Sequence, residues 1–217
     1  MSKQLWKPGN MVYPLPVVMV SCGDRDGHIN VLTAAWTGTI CSDPAMVYVS
    51  IRKSRWSHHM ISQTREFVIN LTTEELAYAT DYVGVKSGAQ VDKFKEMHLT
   101  PVYGTLKYAP MIEESPVCIE CKVEHIMELG SHDMFIATVT AVHADEAYMD
   151  ENGRFHLDQA HPLVYSHGQY YSIGKHIGKF GYSVQKKNKR NSRKKRLNKQ
   201  HDCQNKKCAI KITSDIQ

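Results

Sequence analysis

Apolar side chains recur along the chain in runs of strand length rather than helix length. Residues 17–22, 45–51 and 66–71 are dominated by apolar, often β-branched side chains, which predicts buried strands. Residues 116–127 alternate apolar with polar side chains, so this segment predicts a strand with one buried face. Residues 134–143 are typical of the strand that follows.

Turn residues separate these strands, and short helices are predicted between some of them. A connection at residues 130–133 joins the last two strands into a predicted hairpin. Residues 57–64 predict a short helix, and residues 87–99 predict a loop followed by a helical turn. Thr72 or Thr73 is predicted to cap a second helix between them, and Thr72 with Glu75 fits a capping box. Because strands and long helices do not alternate regularly, we expect a mainly β, single-domain antiparallel barrel with flanking helices.

The composition changes sharply after residue 185. Residues 186–199 hold nine basic residues and one apolar residue, which cannot bury a core. Residues 186–217 hold 12 Lys and Arg against 2 Asp and Glu, whereas residues 1–185 hold 15 against 20. We therefore predict a folded domain over residues 1–185 and a basic, disordered tail over residues 186–217. A nucleic-acid partner is expected, if at all, only through this tail, which lacks interleaved aromatic residues for base stacking.

The lengths of the apolar runs and the placement of the cysteines indicate the cellular compartment. No apolar run approaches the roughly 20 residues that a membrane-spanning helix needs, and the N-terminal apolar stretch is too short for a signal-peptide core. Six cysteines are scattered along the chain, which disfavours a disulfide framework and fits free thiols in a reducing compartment. We expect a cytoplasmic protein without a membrane partner.

Two groups of cysteines have spacings that occur in redox or metal sites. Cys118 and Cys121 form a CxxC pair, but residues three apart on a strand point to opposite faces, so structural roles are favoured. His201, Cys203 and Cys208 could bind zinc, but one CxxxxC pair and one His within a charged tail are a weak zinc signature. No metal is predicted.

The common catalytic signatures are missing from the sequence, which has no P-loop, GxGxxG, HExxH or GxSxG pattern. An enzyme of this sequence would therefore depend on a cofactor for its chemistry. Residues 50–57 combine two Arg, one Lys and three Ser where a predicted strand meets a predicted helix, a set of donors that suits a phosphate group. Residues 30–38 add polar groups and an indole that suit a flat heteroaromatic ring. The alternative is a solvated basic turn.

These segments resemble the flavin reductase-like family, whose members bind FMN in a split β-barrel, and most closely its flavoredoxin branch. Six pieces occur in family order, at residues 30–36, 49–57, 67–71, 87–94, 130–139 and 162–174. The resemblance implies a Greek-key antiparallel split barrel. It also implies a homodimer in which FMN lies at or near the interface between subunits.

The resemblance further implies a role for each candidate site residue. Asn30, Thr33 and Trp36 would line the isoalloxazine ring of FMN, although Trp36 could instead be a core aromatic residue. Tyr165 would cover the ring, at a position where another aromatic residue is common. These assignments are expectations that the sequence alone leaves untested.

At the other end of FMN, the resemblance implies a cradle for the ribityl phosphate made of four residues: Ser50, Arg52, Ser54 and Ser57. The family often has Thr where this chain has Ser57, which keeps the hydroxyl. Lys93 and His132 would approach the ring or its polar edge, where a cation stabilises the charge that develops on reduction. The alternatives are a solvated helix residue for Lys93 and a hairpin-tip histidine for His132.

The expected function is that of an oxidoreductase that transfers hydride or electrons through bound FMN. NADH or NADPH could donate hydride, as in a flavin reductase. The alternatives are an electron carrier that receives electrons from a redox partner protein and, less favoured, a binding module that acts through the basic tail.

Overall fold

The computed structural model describes residues 1–185. The chain divides into a compact unit, Met1–Gly174, and a second unit that begins at Lys175. The domain boundary predicted at residue 185 stays a prediction. The expectations for the basic tail lie outside the described residues, as do those for three of its residues: His201, Cys203 and Cys208.

Strands dominate the described residues, as the apolar pattern predicts. In chain order they are β1 (Leu15–Pro16), β2 (Val18–Gly23), β3 (Ile29–Ala34), β4 (Thr37–Ser42), β5 (Ala45–Arg52), β6 (Glu66–Leu71), β7 (Pro101–Val102), β8 (Met111–Ile112), β9 (Val117–Glu128), β10 (His132–Ala144), β11 (Leu163–Ser166) and β12 (Gln169–Ser172). The five strands predicted from apolar runs correspond to β2, β5, β6, β9 and β10, so these predictions are confirmed.

Short helices flank the strands: α1 (Trp56–Thr64), α2 (Ala77–Val85) and α3 (Lys93–Glu96). The helix predicted at residues 57–64 and the helical turn predicted before residue 99 are confirmed. Of the two threonines predicted to cap this helix, Thr73 accepts a hydrogen bond from the Leu76 N–H at 3.3 Å, directly before α2. The capping box of Thr72 and Glu75 is wrong, because the buried Thr72 hydroxyl donates to the carbonyl of Val17 at 2.7 Å. No helix within residues 1–185 is long and apolar enough to cross a bilayer.

Seven strands form one antiparallel sheet in the order β3-β2-β6-β9-β10-β5-β4, and β1, β11 and β12 form a smaller sheet. β3 and β4 follow each other in sequence but lie at opposite ends of the large sheet, where β3 approaches β5 across the opening of the barrel. The predicted fold class, a mainly β antiparallel split barrel with flanking helices, is confirmed.

The alternation of side chains along each strand separates a core from an outer face. Val49 and Ile51 of β5, Phe67 of β6 and Phe135 of β10 are almost fully buried inside the barrel. Each such side chain contributes roughly 1.5–3 kcal/mol of burial free energy. The intervening residues of β5 and β10 are only half-buried and form the outer face of the sheet.

The two cysteines of the CxxC pair lie on opposite faces of β9. Cys121 belongs to the barrel core, whereas Cys118 packs with Val68, Leu106 and Met111 in a cluster outside it. Burial raises the pKa of the Cys121 thiol to about 12 and also raises that of Cys118. The predicted placement on opposite faces is confirmed, and both thiols are held in their protonated form.

The hairpin predicted between residues 116 and 143 is present as β9 and β10. β10 begins at His132, two residues earlier than predicted, so His132 and Asp133 are strand residues rather than part of the connection. Their partners across the sheet are Arg52 and Ile51, respectively. This register brings the start of β10 beside the end of β5.

Candidate functional site

Two adjoining cavities open where β3 passes the turn that follows β5. The first has a volume of about 270 Å³, and we name it the aromatic cavity after three of its lining residues: Trp36, Tyr165 and Tyr170. The second has a volume of about 390 Å³, and we name it the cationic cavity. Leu32, Arg52 and Arg55 line both cavities, so a single ligand can extend from one into the other.

Basic and hydroxyl side chains dominate the cationic cavity: Arg52, Arg55, Lys86, Lys93, Ser54, Ser57 and Ser87. Among the described residues, no carboxylate lines it. Arg52 and Arg55 are the ends of the turn between β5 and α1, which is closed by a 2.9 Å hydrogen bond from the Arg55 N–H to the Arg52 carbonyl. This concentration of positive charge and donors suits a dianionic phosphate group.

The back of the cationic cavity depends on a close approach between two elements. Asn30 of β3 is buried, and its Nδ2 donates to Ser57 Oγ at 2.8 Å. Gly88 lies directly against Asn30, and a Cβ atom at this position would be 2.2 Å from Asn30 Oδ1. Only glycine permits this contact, which places Lys86 and Ser87 of the same loop on the cavity wall.

Lys93 is a buried cation at the start of α3, with 4% of its surface exposed. Its Nζ donates to the carbonyls of Val31 at 2.7 Å and Val83 at 2.8 Å. An ammonium group carries three N–H donors, so one remains for a ligand in the cationic cavity. Burial, together with the nearby charge of Arg55, lowers the pKa of Lys93 to about 8.

The aromatic cavity is bounded by the β11–β12 hairpin and α2. Tyr165 and Tyr170 are partners across this hairpin, with ring centroids 5.9 Å apart in a T-shaped arrangement. Tyr170 donates its hydroxyl to Asp81 Oδ1 of α2 at 3.1 Å. Burial, followed by the contact with Asp81, raises the pKa of Tyr170 to about 12. The phenol therefore stays protonated at neutral pH and connects the hairpin to α2.

The polar side chains of the aromatic cavity are held by neighbouring groups. Thr33 donates its hydroxyl to the Thr80 carbonyl of α2, so only its oxygen lone pairs remain free. His132 is half-buried, and its Nδ1 lies 2.9 Å from the Ser131 hydroxyl. Burial and the charge of Arg52 lower the pKa of His132, which favours the neutral imidazole.

A third cavity, of about 370 Å³, opens on the outer face of the sheet and shares part of the aromatic cavity wall. Trp36, Arg52 and His132 line both, and Tyr48 and Leu129 extend the third cavity along the outer face. The aromatic cavity is thus continuous with a partly apolar surface on the outside of the barrel.

All ten predicted site residues line the aromatic or the cationic cavity, but their division between the two differs from the expectation. Asn30 and Lys93, expected beside a ring, lie among the basic and hydroxyl side chains of the cationic cavity. Ser50, expected beside a phosphate, lies in the aromatic cavity. The other members of the aromatic cavity are Thr33, Trp36, Arg52, His132 and Tyr165, and those of the cationic cavity are Arg52, Ser54 and Ser57. Their contacts with a ligand stay predictions.

Several residues of the cleft were not among the predicted site residues, including four charged or aromatic ones: Arg55, Lys86, Tyr170 and Asp81. Arg55 lies within the basic segment that suggested a phosphate site, and Lys86 precedes the Ser-Gly pair that the family resemblance includes. Tyr170 falls within the last piece of that resemblance. Asp81 carries no sequence signal, because its place in the cleft depends on how α2 packs against β3.

The cleft is polarised along its length, with aromatic walls at one end and cationic walls at the other. A ligand with a flat ring system and a phosphate group matches both ends at once. Two titratable groups with lowered pKa values line the cleft, the His132 imidazole in the aromatic cavity and the buried Lys93 ammonium group in the cationic cavity.

Comparison with known proteins agrees with this geometry. The sequence pattern described as "Flavin reductase like domain" matches residues 10–174. The structure of a flavoredoxin from Desulfovibrio vulgaris (Miyazaki F) is similar with a TM-score of 0.79 at 32% sequence identity, covering 85% of this chain and 100% of that one. A flavoredoxin from Methanosarcina acetivorans gives a TM-score of 0.77 at 27% identity, with the same two coverages. An NADH:FMN oxidoreductase from Rhodococcus erythropolis is 26% identical over 159 residues, which are 73% of this chain and 76% of that protein.

Proposed function

The chain belongs to the flavin reductase-like domain family, and from this membership we propose that it binds FMN and transfers hydride or electrons through it. The flavoredoxins and the NADH:FMN oxidoreductase to which it is similar support a redox function with a flavin. The proposal covers the cofactor, its orientation and its use as the redox centre.

One observation carries this proposal: the aromatic and cationic cavities share a wall formed by Arg52 and Arg55. FMN has a flat, largely apolar ring system and a dianionic phosphate, which require different surroundings within reach of one ribityl chain. In the proposed orientation the ring lies between Trp36 and Tyr165, and the phosphate lies beside the two arginines. The reverse orientation would put a dianion near the Asp81 carboxylate and leave Lys86 and Lys93, which line only the cationic cavity, without a counter-charge.

The residues that line the cleft fit FMN in charge and in shape. Because Gly88 has no Cβ atom, its loop lies directly against Asn30. Lys86 and Ser87 of this loop therefore line the cationic cavity with hydrogen-bond donors. When bound, FMN supplies a ring that accepts and releases hydride or electrons, so the chain needs no catalytic base for that step. The chain binds and orients the cofactor, and its cations stabilise negative charge that develops on the ring.

His132 has a separate part in the proposal. Its lowered pKa keeps the imidazole neutral near pH 7, so it can take up a proton or accept a hydrogen bond at the ring end of the cleft. This role tunes the flavin rather than binding it.

For the electron donor, we propose NADH or NADPH, which is supported by the similarity to the NADH:FMN oxidoreductase. The second candidate is an electron carrier that receives electrons from a redox partner protein, which is supported by the similarity to flavoredoxins. A location in the cytoplasm is part of the proposal, because free thiols at Cys22, Cys41, Cys118 and Cys121 suit a reducing compartment.

The test uses the full-length protein titrated with FMN, followed by the absorption spectrum under anaerobic conditions. Bleaching of the bound flavin by NADH or NADPH would support the reductase, and bleaching by dithionite alone would support the carrier. A protein that takes up no FMN would contradict the proposal. Tight, salt-sensitive nucleic-acid binding that is lost on deleting residues 186–217 would instead favour the binding module.

We also propose a homodimer in which the outer face of β5, β10 and β9 packs against a second copy. Apolar side chains meet on this face, with Tyr48 of β5 opposite Ile136 of β10 and Met127 of β9 opposite Met134 of β10. Half of the Met127 surface is exposed. The face leads into the cavity shared with Trp36 and His132, so a second copy would complete the wall of the site.

A further inference from the structure

Asp133 is a buried carboxylate behind the turn that carries the two arginines. It lies on β10 next to His132, and only 4% of its surface is exposed. Its Oδ1 atom accepts no hydrogen bond from the described residues, although Lys53 Nζ lies 3.4 Å away. Its Oδ2 atom lies 2.8 Å from His58 Nε2. A buried carboxylate costs free energy unless charges or donors around it offset the loss of water, so this placement needs an explanation.

The two side chains that contact Asp133 lie in the phosphate-binding turn and directly after it. Lys53 lies within the turn, and His58 lies in the first turn of α1, directly after Ser57. The His58 N–H donates to the Arg55 carbonyl at 2.9 Å, so the backbone of His58 is joined to the same turn. The His58 ring also packs edge-on against Phe135, with the centroids 5.2 Å apart. Asp133 therefore connects β10 to the turn through Lys53, which also contacts Glu128 at 2.6 Å, and to the start of α1 through His58.

The turn also needs a counter-charge of its own. Arg52, Lys53 and Arg55 lie within four residues, and such closely spaced cations repel each other when no phosphate lies between them. Neither Asp133 nor His58 lines the aromatic or the cationic cavity, so neither can contact the ligand there. Both residues contact the turn, Asp133 through Lys53 and His58 through the Arg55 carbonyl, so the turn is the route to a ligand that they share.

We propose that Asp133 and His58 are positioning residues that hold the turn at residues 52–55 in its phosphate-binding conformation. The inference rests on the proposed FMN function and adds two residues that act only through Arg52 and Arg55. It predicts an effect on ligands with a phosphate group and no effect on the same ring system without one. A general structural role would weaken both ligands alike.

The experiment compares the affinities of full-length variants for FMN and for riboflavin, which lacks the phosphate. Asp133→Asn keeps the size of the side chain but removes its charge. We expect the dissociation constant of FMN to rise about tenfold, on the scale of a charge-assisted hydrogen bond, while that of riboflavin stays unchanged. Equal weakening of both ligands, or no weakening of either, would overturn the proposal.

Variants at His58 decide the question if Asp133→Asn fails to fold. His58→Leu removes the donor and should also weaken FMN selectively, whereas His58→Gln retains an N–H donor and should restore the affinity. His59→Leu is the matched control, because His59 is the exposed neighbour on the same helix and should leave both affinities unchanged. A His58→Leu protein that binds FMN as the wild type does would overturn the proposal.

The affinities of the wild-type protein show whether the proposed phosphate site or only the positioning role of Asp133 and His58 has failed. If it binds FMN no more tightly than riboflavin, the assignment of the cationic cavity to the phosphate fails, and with it the proposed orientation. If the wild type prefers FMN but the variants keep that preference in full, the positioning pair alone is refuted.

Discussion

Arg52 lies where the aromatic and cationic cavities meet, and it is also the partner of His132 across the sheet. We expect Arg52→Ala to weaken FMN binding by about tenfold or more, because it removes a charged donor to the phosphate. Riboflavin, which has no phosphate, should lose little affinity. Fluorescence titration of both ligands measures the difference.

The control for this change is Arg154→Ala, which removes an exposed arginine in a turn outside both cavities. It should leave both affinities as they are in the wild type. An equal loss of FMN and riboflavin affinity in Arg52→Ala would show that Arg52 does not bind the phosphate.

Lys93 makes the affinity for FMN depend on pH. Its pKa is lowered to about 8, so the side chain is mostly charged below that value and mostly neutral above it. Only the charged form attracts a phosphate, so we expect FMN affinity to fall as the pH rises from 7.5 to 9.5, a range in which the phosphate itself stays dianionic because its second pKa is about 6. Titration at several pH values measures this fall.

Two comparisons identify Lys93 as the source of the pH dependence. Lys93→Met should bind FMN more weakly at pH 7.5 and should lose most of the decrease between pH 7.5 and 9.5. Lys95→Met, on the exposed side of the same short helix, should retain it. A wild-type affinity that stays constant over this range would contradict the role of Lys93.

At the scale of elements, the position of the loop after α2 depends on Gly88. Replacing it with Ala would place a Cβ atom 2.2 Å from Asn30 Oδ1, so either the loop or the buried Asn30 side chain must move. We expect Gly88→Ala to cost about 1–3 kcal/mol of unfolding free energy, the usual cost of overpacking, and to weaken FMN binding as well. Chemical denaturation and FMN titration measure the two effects.

Gly174→Ala is the matched control, because a Cβ atom at this position would have no neighbour within 4 Å. It should change neither the free energy of unfolding nor the FMN affinity. A Gly88→Ala protein as stable as the wild type would show that the loop can move away from Asn30 without loss.

The elements that sequence patterns predict well are those whose signal is local. The run at residues 66–71 has apolar side chains on both faces and became β6 with its predicted limits. The capping box at Thr72 failed because its hydroxyl donates to Val17, a residue 55 positions away that no local pattern identifies. His132 was assigned to the turn for the same reason, since its place in β10 depends on pairing with Arg52.

The same distinction between local signals and long-range contacts applies to the candidate site. Residues on the basic segment at 50–57 were identifiable from charge and hydroxyl spacing, because a phosphate needs such groups close together. Asp81 and Asp133 were not, because both depend on contacts between distant elements. The sequence also could not predict which cavity Asn30 and Lys93 line, because that depends on how α3 and the loop before it pack against β3.

At the scale of the whole molecule, the proposed homodimer can be tested on the outer face of β9 and β10. Met127→Glu adds a charge to the apolar surface, and burial of an unpaired charge in an interface opposes association. We expect the dissociation constant of the dimer to rise by about tenfold or more. Light scattering over a range of protein concentrations measures this change.

Val102→Glu is the control, because Val102 is 37% exposed on β7, outside the seven-stranded sheet. It should leave the molar mass in solution unchanged. A wild-type protein that is monomeric at micromolar concentrations, or a Met127→Glu protein that remains a dimer, would contradict the proposed interface.

The split between β3 and β4 has a consequence for the barrel itself. These strands are the two ends of the large sheet, joined through Ala35 and Trp36; β4 pairs with β5, whereas β3 only approaches β5 across the opening. The aromatic cavity takes its walls from β3 and β5, so a ligand there would bridge the two strands that face each other across this opening. Amide protons of β3 and β5 should then exchange with solvent more slowly once FMN is added, because the bound cofactor would stabilise the closed barrel.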